Sequence, residues 1–167
     1  MGEINSQLTS SKKTVPEVEV PSGNFSVSGR ELKYRTTTGL TLKPTVGKTT
    51  TILGTYSSDT GKILDELGNI KSLDFGPRDG GFNLLNTPDE LYISPEQFWE
   101  NYNKPWLDNV IQRGDIIKIA TEPTSQNIYR INKLTGETEL TGFGKEFEYL
   151  KSNGYKYDDI NKRMIKP

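Results

Sequence analysis

The sequence predicts an α+β protein, with helices in the first folded part and an antiparallel sheet meander after them. Three observations carry this. Apolar residues recur at helical spacing in Ile63, Leu64 and Leu67, and again in Trp106, Leu107, Val110 and Ile111. Strand-like runs follow from Asp115 onward, and glycines, one of them in the pair Asn153-Gly154, punctuate them. Helices grouped before strands, rather than alternating with them, give α+β packing instead of a parallel α/β sheet.

Residues 1–45 are rich in Ser, Thr, Lys, Glu, Gly and Pro, with Phe25 and Tyr34 as their aromatics, and read as a polar linker. Glu17–Val20 and Glu31–Tyr34 could add short edge strands. The folded domain is expected over 46–167. Thr50–Leu53 reads as a short strand or the start of a helix, and Asp59 is placed to cap a helix that Gly68 ends. Asp74–Gly81 holds too much Gly and Pro for regular structure and predicts a loop leading into Phe82–Leu85.

Ser94-Pro95-Glu96-Gln97 is the clearest helix start: a hydroxyl to cap, proline at the first helical position, and glutamine three residues after the cap. Pro105 interrupts that pattern and starts a second helix, which Gly114 stops. Asp115–Thr121 and Asn127–Asn132 predict strands. Lys133-Leu134-Thr135-Gly136 turns the second of these into Glu137–Thr141. Lys145–Ser152 predicts a helix ended at Gly154, and Tyr155–Lys166 a last hairpin around Asp158-Asp159.

Composition excludes whole classes of chemistry. The 167 residues contain no cysteine and no histidine, which removes disulfides, thiolate or imidazole metal sites and Ser-His-Asp hydrolysis. Any catalysis must use carboxylates, Lys, Arg, Tyr or hydroxyls. A net charge of −1 predicts that an anionic partner is met at a focused site rather than by a basic coat. No apolar run is long enough to span a membrane, and the first residues lack the pattern of a signal peptide.

The stretch PTVGKTTTILGTY carries letters of a phosphate-binding loop, but that loop needs a glycine five positions before its Gly-Lys pair. Leu42 stands there. Glu31-Leu32-Lys33 has the acid-x-lysine spacing of metal nucleases, in a polar stretch without a clear acidic partner. No cofactor or metal is expected.

The successive blocks DFGPRDGGFNLLNTPDELY, SPEQFWENYNKPWLDNVIQRGD and LTGFGKEFEYLKSNGYKY span most of the chain from about Thr50 to Lys166. They resemble the C-terminal toxin domain of contact-dependent growth inhibition proteins, a class of polymorphic toxin exoproteins. The resemblance implies secretion as part of a large exoprotein, action in the cytoplasm of a target bacterium, and neutralisation by a cognate immunity protein. It also implies a ribonuclease, an endoribonuclease acting on tRNA in particular, with a translation factor of the target cell as a further partner. The barnase, EndoU, colicin and RelE-like class of metal-independent ribonucleases is compatible with the element order. A metal-dependent nuclease, an NAD-consuming toxin and a non-catalytic interaction module remain alternatives.

RNA supplies its own nucleophile, the 2′-hydroxyl, so a protein need only place a base, an acid and cations around the phosphate. On this reasoning Arg78, Lys145, Tyr56, Asp115 and Thr141 are the catalytic candidates, and Lys48, Arg113, Lys118 and Glu146 the substrate-binding ones. Arg78 lies in the glycine-rich loop, and its planar fork suits a phosphate. Thr141-Gly142-Phe143-Gly144-Lys145-Glu146 brings free N–H groups, a hydroxyl and a lysine to one helix start. A lysine acting as base near neutrality needs a pKa lowered by ~3 units, or about 4 kcal/mol. Lysine and arginine are therefore read as clamps, and Asp115, Glu146 or Tyr56 as taking the proton. Lys118 should point away from Ile117 and Ile119, and Arg113 can also serve its helix dipole. Trp99, Tyr102 and Trp106 could stack bases, although aromatics at this spacing are usually core.

Overall fold

The computed structural model describes residues 32, 34–67 and 81–167. Its strands are β1 (Thr50–Leu53), β2 (Phe82–Asn83), β3 (Ile116–Ile119), β4 (Tyr129–Ile131), β5 (Thr138–Leu140), β6 (Lys156–Asp158) and β7 (Arg163–Ile165). Its α-helices are α1 (Gly61–Glu66), α2 (Pro95–Phe98), α3 (Lys104–Arg113), α4 (Ser125–Ile128) and α5 (Gly142–Ser152). The fold is α+β. A five-stranded sheet runs in the order β2-β1-β3-β7-β6, and β4 and β5 form a separate ribbon.

The sheet is mixed rather than a plain meander. β1 pairs in parallel with both β2 and β3, while β7 pairs antiparallel with β3 and β6. Burial explains the arrangement. Every residue of β1 is buried, which demands a central place with cover on both faces. Every residue of β4 is exposed, so the predicted Asn127–Asn132 hairpin forms outside the sheet. It also starts later than expected, because Ser125–Ile128 is a helical turn.

Two apolar clusters flank the sheet. On one side Leu53, Ile117, Ile119 and Met164 meet Trp106, Leu107 and Val110 of α3 and Phe143, Phe147 and Leu150 of α5. On the other, Ile52, Phe82 and Ala120 meet Ile63, Leu64 and Leu67, joined by Leu32 and Leu42. The last two are 3% and 1% exposed. The packed unit therefore reaches back past position 46 into the stretch read as linker, whose sparse leucines alternate with polar residues and hide their core role.

Asp59 shows why. It was expected at a helix cap but sits inside a wide π-helical turn, Tyr56–Thr60, that runs directly into α1. Its buried carboxylate accepts bonds from Thr37 N (2.8 Å), Thr37 Oγ1 (2.9 Å), Thr121 Oγ1 (2.6 Å) and the Tyr34 hydroxyl (3.2 Å). A buried carboxylate is tolerated when donors satisfy it. These donors strap 34–37 onto the domain.

Ser94 caps as the sequence predicts, its Oγ accepting from Gln97 N at 3.2 Å. Pro105 does not separate two helices. The chain widens through a second π-helical turn, Trp99–Asn103, and continues as α3 with the proline in its first turn, where the missing N–H is harmless. Gly114 ends α3 with φ 73°, in the left-handed region that favours glycine.

Candidate active site

An open cleft of about 790 Å³ lies where the first π turn, the second π turn and the start of α5 converge. Tyr56, Thr141, Lys145 and Glu146, four of the sequence-predicted residues, all line it. So do Trp99 and Asn103, which begin and end the second π turn. Such widened turns are rare and recur at functional sites. Both in this chain, among the described residues, border the same cleft.

The wall carrying Lys145 and Glu146 is fixed by a close backbone approach. Thr141 caps α5, its hydroxyl accepting from Gly144 N (2.9 Å) and donating to Asn127 O (2.6 Å). Gly144 packs so tightly on the end of α4 that a Cβ there would lie 2.1 Å from Ile128 O. This contact seats α5 against the β4–β5 ribbon and brings Arg130 to the rim beside Lys145. Thr141, expected as a catalytic hydroxyl, lines the cleft with its hydroxyl engaged in the cap.

Glu146 is the unusual group. It is buried, and Asn103 Nδ2 donates to its Oε2 at 2.6 Å. Burial pushes its carboxyl up to about 8, against the pull of the Asn103 bond, which favours the charged form. A carboxyl poised near neutrality at the wall of a cleft can accept or release a proton under working conditions. Around it, Lys145 is half-exposed, and Arg130 pairs with Glu139 at 2.7 Å. Glu139 is held below the usual carboxylate range, first by the bond from Asn132, then by Arg130, with Lys145 adding positive charge. Tyr56, 64% exposed, lines the same cleft.

The other candidates lie elsewhere. Asp115 is locked by Arg113, whose Nε and Nη2 donate to its two oxygens at 3.1 and 2.7 Å, and Thr51 Oγ1 donates at 2.8 Å. Asn83 links Thr51 to the Trp106 indole, so this polar chain ties α3 to the sheet. Asp115, expected as a proton acceptor, and Arg113, expected as a substrate clamp, thus bond to each other and do not line this cleft.

Lys118 points away from Ile117 and Ile119 as expected, opposite Arg163 in the register. Burial, then the neighbouring Arg163, lowers its pKa. It does not reach the cleft, nor does the exposed Lys48 in the turn before β1. Arg78 and most of Asp74–Gly81 lie outside the described residues, as do Glu31 and Lys33.

Sequence reasoning missed Arg130 and Asn103. Arg130 reads as an ordinary hairpin arginine until the Gly144 contact places the ribbon. Asn103 has nothing in its neighbouring sequence to mark it, and the π turn brings it to Glu146. No family model matches the chain, and no curated protein or solved structure matches it. Among the described residues, no three carboxylates gather closely enough to hold a metal ion, and no helix is long and apolar enough to cross a membrane.

Proposed function

We propose that this chain is an endoribonuclease toxin domain that cleaves RNA through the 2′-hydroxyl, with Glu146 as the proton acceptor. The observation that carries the reading is the convergence of a buried, near-neutral carboxyl with Lys145, Arg130 and Tyr56 around one open cleft. Ionised Glu146 takes the 2′-hydroxyl proton as that oxygen attacks phosphorus. Lys145 and Arg130 face the charge that builds on the phosphoryl oxygens, a task requiring no pKa shift. Tyr56 hands a proton to the departing 5′-oxygen. The products are a 2′,3′-cyclic phosphate and a 5′-hydroxyl.

The resemblance of the sequence blocks supports the biological setting: tRNA as the target, a cognate immunity protein as the antidote, and delivery on an exoprotein into another bacterium. The experiment is to induce the chain in bacteria without an immunity protein and run total RNA on a gel beside Lys145→Ala. Growth arrest with discrete RNA fragments ending in cyclic phosphate, both lost in the variant, is the expected result. Arrest with intact RNA and falling NAD would replace this reading with the NAD-consuming one. No arrest would favour a non-catalytic module.

A further inference from the structure

Part of the cleft wall is built from aromatic rings. Tyr92 and Phe98 stand with centroids 5.3 Å apart, and Phe98 stands 5.3 Å from Tyr102. Trp99 meets Tyr149 edge-on at 5.4 Å and 79°. Tyr149 is itself anchored, its hydroxyl donating to Asp108 at 2.5 Å and its ring lying 5.7 Å from the Lys104 ammonium. The indole is thus held from behind while its other side borders the cleft. Tyr92 is 52% exposed, Phe98 is half-buried, and Tyr102 behind them is buried.

We propose that Tyr92, Phe98 and Trp99 form a stacking subsite for an unpaired nucleobase, so that the chain takes single-stranded RNA and not a duplex. This rests on the ribonuclease reading of the same cleft. The occupant is argued from what surrounds the rings. Arg130 and Lys145 offer cations to a phosphate, and Gln126 on α4 presents an exposed amide able both to donate and to accept. Flat aromatic faces, a two-way amide and cations along one cleft match base, base edge and phosphate of one nucleotide. In a duplex both faces of a base are covered by its neighbours, so only a looped or splayed strand can reach such rings.

The test is a titration of the intact chain with a short single-stranded DNA oligonucleotide, which lacks the 2′-hydroxyl and cannot be cleaved, followed by tryptophan fluorescence. Trp106 is 1% exposed and stays unquenched, so quenching reports on Trp99. Quenching is expected with the single strand and little with the same sequence as a duplex. Tyr92→Ala should weaken binding roughly 5- to 150-fold, the range for loss of one stacked base, with an unchanged salt slope. Lys145→Gln should instead flatten the salt slope by about one phosphate contact. Phe98→Leu gives a second variant, its folding checked by the Trp106 emission.

Equal affinity for duplex and single strand, or Tyr92→Ala binding like the parent, would overturn the subsite. Oligonucleotide binding that depends on Tyr92 in a chain that cuts no RNA would keep the subsite and sink the nuclease. RNA cleavage with an unaltered KM in Tyr92→Ala would do the reverse.

Discussion

Asn103 and Glu146, 43 residues apart in sequence, are joined by a 2.6 Å hydrogen bond between two buried side chains. Asn103 ends a π-helical turn and Glu146 lies in the second turn of α5, so the bond ties the two walls of the cleft together. It also holds the carboxyl in the apolar setting that raises its pKa.

That setting makes stability depend on pH in a definite direction. Glu146 has an ordinary value of 4.5 and a folded value of about 8. Between these the folded chain holds a proton that the unfolded chain has released, so stability falls as pH rises through the window. The slope from this one group is at most about 1.4 kcal/mol per pH unit. Melting curves from pH 5 to 8 should show Glu146→Gln losing less stability across the range than the parent. Parallel curves would contradict the assignment.

Removing the Asn103 bond should push the carboxyl further. The amide donates to the charged form, so Asn103→Leu withdraws a bond of about 1.5–3 kcal/mol and should raise the Glu146 pKa by roughly one unit or more. Carboxyl titration by NMR in the two proteins checks this. A pKa unchanged or lowered in the variant would show that the bond does not govern Glu146.

Asp115→Asn should act on stability alone. Its side chain is 3% exposed beneath Arg113, and breaking one partner of a buried pair costs about 3–5 kcal/mol. Denaturant unfolding should show that loss, while oligonucleotide binding in the cleft, measured where the variant is folded, stays as in the parent. Weakened binding would return Asp115 to the site.

A chain shortened to begin at Thr45 should be less stable than the whole. It loses the buried Leu32 and Leu42, about 1.5–3 kcal/mol each, and uncovers Asp59 by removing Tyr34 and Thr37. Urea unfolding of the two chains tests it. Equal midpoints would mean that the strap adds nothing.

Much of this architecture was legible in the sequence because local chemistry decides it. The Ser94 cap, the Gly114 stop, the turn at Gly136 and the last hairpin need only neighbouring residues. Strand partners were not legible. Whether β3 pairs with β1 or with the ribbon depends on β1 being buried on both faces, a property of tertiary packing. In the site, Lys145 and Glu146 could be found from a glycine-rich helix start. Arg130 and Asn103 could not, since a Cβ missing at Gly144 and a widened turn at Trp99–Asn103 bring them in. Nor does the sequence show that Arg113 and Asp115, charges two residues apart, bond to each other.

The central claim is that Glu146 is the proton acceptor in RNA cleavage. It is tested most directly by kcat/KM against pH on a single-stranded RNA oligonucleotide in EDTA. The account predicts activity that rises with pH, half-maximal near pH 8 and level about one unit above it, with Glu146→Gln lowered about 10²- to 10⁴-fold. A flat profile through that range, or a Glu146→Gln variant as active as the parent, would contradict it.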